Sequence, residues 1–381
     1  AGNPLSSSGP RLRGPDLLAS LSCAGDVAGS PLTPVLLLHG TGSTPQETWG
    51  PVYLPQLAAQ GRPACTVQLP NRATGDMQVS SEVVVAAIRE VSRRRGGRIS
   101  VVGHSQGATL AVTALKFWPD LPGLVEDYIG LAPTLQPGIS GDAQCLRPCS
   151  APFQQRSASS VYFAAVLAHP LPAGPSYTTI ATRYDEIAAP APQASRLDGA
   201  ANVVVQDPCP GKIVEHFGLV TDGTVFSLVL DGLTHPGPVD TSRLPVADCL
   251  LALPAGSDPA TVAPLVVEAV TNDLAANAAS EKLSEEPPVR CYVRADCADV
   301  VDRGRILTAA TLLPQGVRLT AQAPGTVRVH LRGGRTLTAT VPVGTRLLRL
   351  PLSPGAVVTL QTTTSHYRVS ASEWTLQVPK H

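Results

Sequence analysis

The sequence predicts an α/β fold with a mostly parallel central sheet, followed by a small all-β, sandwich-like module. Three observations carry that expectation. Over the first three quarters of the chain, short apolar runs alternate with stretches of helical spacing. The runs are continuously apolar rather than alternating, which marks strands buried on both faces, as in a parallel sheet. After Cys297 the helical spacing stops, and short alternating runs broken by PG, GG, VG and SPG turns take over. The expected domains are therefore residues 1–297 and 298–381.

Taken in order, the first thirty residues are rich in Gly, Ser and Pro and are expected to wrap the surface. "PVLLLHG" (34–40) reads as a fully buried strand and "ACTVQLP" (64–70) as the next. "SSEVVVAAIREVSRRRGG" (80–97) carries helical spacing and stops at glycines, which release a helix C-terminus. "RISVVG" (98–103) is a further buried strand, and "QGATLAVTALKFW" (106–118) is the helix that follows it. "YIGLAP" (128–133) and "SYTTIATRY" (176–184) are strands. "SDPATVAPLVVEAVTNDLAANAA" (257–279) opens with Ser/Asp caps and places Pro259 in a first helical turn. Val262, Leu265, Val266, Ala269, Val270 and Leu274 share one face of that helix.

The 381 residues are 43% hydrophobic and 15% charged, which suits a sizeable buried core and not a disordered chain. The formal net charge is zero, which argues against a nucleic-acid binder as a whole. No uninterrupted apolar stretch reaches the roughly 18 residues that a membrane helix needs. The charge is unevenly spread. Residues 301–381 hold nine arginines and Lys380 against Asp302 and Glu373, and the rest of the chain carries the balancing negative excess. Such a basic module could dock on the acidic part, favour a lipid or polymer surface, or simply be solvated. The chain is expected to act as a monomer.

Cys23, Cys65, Cys145, Cys149, Cys209, Cys249, Cys291 and Cys297 make an even set without the paired spacings of a zinc site. Four disulfides and an exported protein are expected, because so many free thiols would be a liability after export. "AGNPLSSSGP" would suit a mature end left after signal-peptide cleavage.

The joint between strand 98–103 and helix 106–118 carries Gly103-His104-Ser105-Gln106-Gly107, a G-x-S-x-G sequence. A buried strand leads in and a helix leads out, as a nucleophile elbow requires. The flanking glycines remove side chains that would collide in so tight a turn. The helix N-terminus points its positive dipole end at the serine. A serine that merely suits a turn needs none of this, so Ser105 is the candidate nucleophile.

A serine hydroxyl needs a base to take its proton and a third group to orient that base. With an elbow of this kind the chain order is serine, acid, histidine. Asp185 follows the strand "TTIATRY" and is the candidate acid, with Glu186 as runner-up. His216 in "CPGKIVEHFGLV" is the candidate base. His235 precedes a proline at an expected helix end, where it suits a cap. His39 and His104 precede or adjoin the serine and are expected to serve the pocket or the packing. The oxyanion of an acyl-transfer intermediate needs preset donors. The backbone N–H of Gln106 is one. The loop "LLLHGTGST" offers another at Thr41, where Gly40 and Gly42 let the backbone turn inward.

Together "LLLHGTGST", "GHSQG", "ATRYDEIAAP" and "CPGKIVEHFG" resemble, in register, the Candida antarctica lipase B family within the α/β-hydrolases, over about residues 15 to 297. The resemblance implies an α/β-hydrolase fold and a Ser105, Asp185, His216 triad. It implies Thr41 (backbone and hydroxyl) and Gln106 as the oxyanion hole. The pairs Cys23–Cys65 and Cys209–Cys249 are also implied by it, and Cys145–Cys149 is an expected addition. Gly40, Thr134 and Ile187 are expected to border the substrate, and helix 257–279 to border the acyl channel. The activity implied is that of a secreted, lipase-like carboxylic ester hydrolase acting through an acyl-enzyme, with an ester or lipid substrate and no cofactor or metal. An acyltransferase or a polyester depolymerase would use the same groups, whereas a binding protein could merely have inherited the scaffold.

Besides that added cysteine pair, the sequence departs from the family at four places. Gly103-His104 stands where the family has Thr-Trp, which bears on the alcohol-side pocket. Ala132-Pro133-Thr134 stands where the family has an aspartate third. Cys291 and Cys297 lie much closer together than the family's last pair, and the basic β module has no counterpart.

Overall fold

A computed structural model describes residues 17–136, 145, 148–290 and 293, and, from 307 to 377, seven strands with residues 315 and 350. Leu12–Val289 form one compact unit, and the residues from Arg290 belong to a second. The division thus falls just ahead of the change in sequence pattern at Cys297. Cys291 and Cys297 lie outside the described residues.

The larger unit is built on seven strands, taken in chain order with their helices. They are β1 (Ser22–Ala24), β2 (Val35–Leu38), α1 (Pro45–Trp49), α2 (Tyr53–Ala59), β3 (Ala64–Thr66) and α3 (Met77–Arg95). There follow β4 (Ile99–His104), α4 (Gln106–Phe117), β5 (Val125–Leu131), α5 (Ala151–Gln154) and α6 (Val161–Ala168). The unit continues with β6 (Ser176–Ala181), β7 (Ala201–Val204), α7 (Gly223–Thr234) and α8 (Pro259–Ala279). The strand order is β1-β3-β2-β4-β5-β6-β7. Every pair is parallel except the edge pair β1–β3. The N-terminal stretch therefore does more than wrap the surface. Ser22–Ala24 adds an antiparallel edge strand, with Cys23 opposite Cys65 and joined to it by a disulfide.

Local chemistry explains the element ends. Asp76 caps α3 by accepting from the Gln78 N–H at 2.9 Å. Gly96 ends it in the left-handed region at φ 68°. Asp258 caps α8 through the Ala260 N–H, with Pro259 in the first turn. β2 and β4 are wholly buried in the middle of the sheet. The core on one face gathers Trp49, Tyr53, Leu57, Ile129, Phe226 and Leu228. Central, doubly covered strands give a rigid base for whatever their C-terminal ends carry.

The second unit holds β8 (Leu307–Leu313), β9 (Gly316–Ala321), β10 (Gly325–Leu331), β11 (Arg335–Val341), β12 (Gly344–Arg349), β13 (Val357–Thr363) and β14 (Glu373–Gln377). They form two antiparallel sheets, of order β11-β10-β13-β14 and β12-β9-β8. Alternate residues such as Val317 and Leu319, Val327 and Val329 are buried in one apolar cluster, as the alternating sequence runs require.

Candidate active site

Ser105 stands at the C-terminal end of β4, in the N-cap position of α4, with φ 52° and ψ −124°. This is strained backbone for a residue with a Cβ. Two glycines make the turn possible. A Cβ at Gly103 would meet the backbone of Ala108 at 2.5 Å, and one at Gly107 would collide with the carbonyl oxygens of Leu38 and His39. Serine is a favoured helix cap, but here its side chain makes no capping bond. The hydroxyl is left for other work.

Asp185 lies in the loop after β6. Its carboxylate accepts from the N–H groups of Ile187 at 2.9 Å and Ala188 at 2.6 Å. His216 Nδ1 lies 2.9 Å from each Asp185 oxygen, and both side chains are buried. Burial acts to raise the Asp185 carboxyl. The bond and charge of His216, with the two backbone donors, outweigh it and hold the group below the usual carboxylate range. Glu186 has a different place: its Oε2 accepts from the backbone N–H of His216 at 3.1 Å. His235 caps the end of α7 and pairs with Asp231.

The segment bearing His216 is tied down on several sides. Cys209 is bonded to Cys249. Buried Lys212 pairs with Asp222 at 2.6 Å. Thr182 Oγ1 donates to the Val214 carbonyl at 2.7 Å. His104 Nε2 lies 3.0 Å from the His216 carbonyl oxygen, so that ring must donate there. Burial, with the neighbouring charge of His216, pushes His104 down to about 3, so it stays neutral. His39 is pushed down to about 4 by burial. Its Nδ1 donates to the Gly40 carbonyl, and its Nε2 accepts from the Leu69 N–H. It therefore braces the loop that leads to Thr41.

That loop is also clamped by Arg72. The Gly42 N–H donates to the Arg72 carbonyl, and Arg72 Nε donates to the Gly42 carbonyl, both at 2.7 Å. The Thr41 hydroxyl donates to the side-chain oxygen of Gln106. In this geometry the hydroxyl is engaged, which differs from its expected role as a third oxyanion donor. The Gln106 Nε2 is buried without a partner among the described residues. The backbone N–H of Gln106 opens α4, where helix donors are left over.

Gly40, Thr41, Ser105, Ile187 and His216 line one cavity of about 220 Å³. Val266, Ala269, Val270 and Leu274 form its α8 wall. Of the expected apolar face, Val262 is buried in the core, whereas Leu265 and Leu274 are exposed. Thr134 is set back from the cavity. It is buried behind Arg156, whose Nη1 lies 3.4 Å from its hydroxyl. Arg156, Phe153 and Asp273 line the cavity and had no signal in the sequence, since each is brought there by packing alone.

Residues 35–303 match the Alpha/beta hydrolase family. The chain belongs to that family. Among relatives of this α/β-hydrolase, lipase B of Pseudozyma antarctica is 28% identical over 212 residues, 53% of this chain and 62% of that protein. The chain thus spans less than two thirds of that relative's length. The crystal structure of Aspergillus fumigatus lipase B shares the fold, with a TM-score of 0.69 and 23% identity over 75% of this chain and 74% of that one. Of the expected disulfides, Cys23–Cys65, Cys145–Cys149 and Cys209–Cys249 are formed.

Proposed function

We propose that this α/β-hydrolase is a secreted carboxylic ester hydrolase of the lipase B kind. The observation that carries the reading is the buried Asp185–His216 pair facing a cavity that Ser105 enters from a strained turn. Ser105 Oγ attacks the ester carbonyl while His216 Nε2 takes its proton. Asp185 holds the imidazole with its proton on Nδ1 and stabilises the imidazolium. The negative charge on the carbonyl oxygen falls to the backbone N–H groups of Gln106 and Thr41. His216 then protonates the leaving alkoxide, and the alcohol departs. Water, deprotonated by the same histidine, attacks the acyl-enzyme and releases the acid with Ser105 restored.

The largely apolar α8 wall supports esters with hydrocarbon parts. The three disulfides among the described residues support an oxidising, extracellular setting. The test is labelling with a serine-reactive phosphonate beside a rate series over p-nitrophenyl esters. Labelling at Ser105 and ester turnover, both abolished by Ser105→Ala, are expected. Intact, folded protein that shows neither would refute the proposal.

A further inference from the structure

Arg156 follows α5 and presents a buried guanidinium to the cavity that holds Ser105 and His216. Its polar contacts are few. Nε donates to the Pro152 carbonyl at 3.1 Å, and among the described residues Nη1 makes only the long contact with the Thr134 hydroxyl. The guanidinium lies 5.1 Å from the centre of the Phe153 ring, which offers a weak π-face partner. No carboxylate pairs with it among the described residues. Burial lowers its proton affinity to about 10, still well above neutrality, so the cation persists.

Arg62 shows how this fold treats a buried arginine that serves structure alone. It is equally buried, yet it donates to two backbone carbonyls, of Thr33 and Leu233, and has Asp127 and Glu126 nearby. Neither of the two carboxylates that share Arg156's cavity pairs with it. Glu47 is paired with Arg72 and accepts from Asn272. Asp273 accepts from Asn277 through Oδ2, while its Oδ1 is buried without a partner among the described residues. A buried cation without a counter-ion is costly unless something completes it, and the open side here is the cavity itself.

We infer that Arg156 selects esters that carry a carboxylate, binding that group in the cavity it shares with Ser105 and the apolar side chains of α8. This rests on the ester-hydrolase reading above and names the substrate class for it. The guanidinium fork suits a carboxylate in two-point contact. The carboxylate could belong to the acyl part, as in the half-ester of a dicarboxylic acid, or to the alcohol part, as in an acylated hydroxy acid.

Two pairs of substrates decide it in a pH-stat. Methyl hydrogen adipate is set against methyl hexanoate for the acyl part. The butanoate ester of 3-hydroxypropanoate is set against propyl butanoate for the alcohol part. In one pair the native chain should prefer the anionic ester in kcat/KM by about tenfold or more. Arg156→Gln should lower that preference about 30-fold, and Arg156→Lys should keep part of it. Phosphonate labelling of Ser105 checks that each protein has an intact site. Labelled native protein that prefers the neutral ester in both pairs overturns the inference and leaves the hydrolase reading standing. A variant that slows all four esters alike also overturns it, since a structural arginine would behave so. Native protein with neither labelling nor turnover overturns both readings.

Discussion

His104 donates through Nε2 to the backbone carbonyl of His216 at 3.0 Å, so the residue next to the candidate nucleophile holds the candidate base. The two rings stand 4.8 Å apart. This contact crosses 112 positions of sequence and fixes the base relative to the elbow.

Replacing the donor while keeping a ring tests its role. His104→Phe leaves the His216 carbonyl without its partner and lets that segment shift. Because a small misplacement of a base weakens proton transfer, kcat should fall about tenfold with KM little changed. Steady-state kinetics on a p-nitrophenyl ester measure this. An unchanged kcat would show that the other ties on the segment suffice.

Asp185 and Glu186 are adjacent carboxylates with separate duties. Asp185 meets the imidazole, while Glu186 meets only the backbone N–H of His216. Asp185→Asn should lower kcat by on the order of 10⁴ through loss of the right tautomer. Glu186→Gln should cost about threefold, since the amide oxygen still accepts from that N–H. The reverse order would exchange the two roles.

Asp273 gives a pH signature. Burial raises its carboxyl to about 6, helped by Glu47 and opposed by His216, Asn277 and Arg72. The native state thus holds a proton that the unfolded chain releases near pH 4. Between pH 4 and 6 its contribution to stability falls as pH rises. Asp273→Asn should match the native chain at pH 4 and exceed it by on the order of 2 kcal/mol at pH 7. Urea unfolding over a pH series checks this, and a difference independent of pH would refute it.

The Cys209–Cys249 bridge closes a loop of 40 residues that contains His216. Removing it with paired serines should cost about 4 kcal/mol by loop-closure entropy. Thermal unfolding measures the loss. Because the loop carries the candidate base, activity should fall at temperatures where the rest of the unit is still folded.

The parts of this site that sequence could reveal share one property: their chemistry is local. Ser105 shows in an apolar run, two glycines and a helix start, because a tight turn dictates neighbouring residues. Asp185 and His216 show through their place after a strand and a cysteine. Arg156 and Asp273 gave no such sign, because an arginine in a turn or an aspartate on a helix reads as solvated until packing turns it inward. Thr134 gave a misleading sign, being next to a strand end yet set behind Arg156. The edge strand at Ser22–Ala24 was hidden for a related reason. Three residues make too short a pattern, and their pairing with Ala64–Thr66 is a long-range event.

The crowded elbow narrows how this enzyme scaffold could be retuned. In this backbone a Cβ at Gly103 or Gly107 would clash, and Ser105 is the candidate nucleophile, so positions 104 and 106 of the pentapeptide vary with the least disturbance of the turn. Both already have tasks, one towards His216 and the other towards Thr41. Diversity in what the cavity accepts must therefore arise on α8 and around Arg156, where side chains can be exchanged without disturbing the turn. A library confined to Val266, Ala269, Val270 and Leu274 would sample selectivity while the reacting groups stay in register.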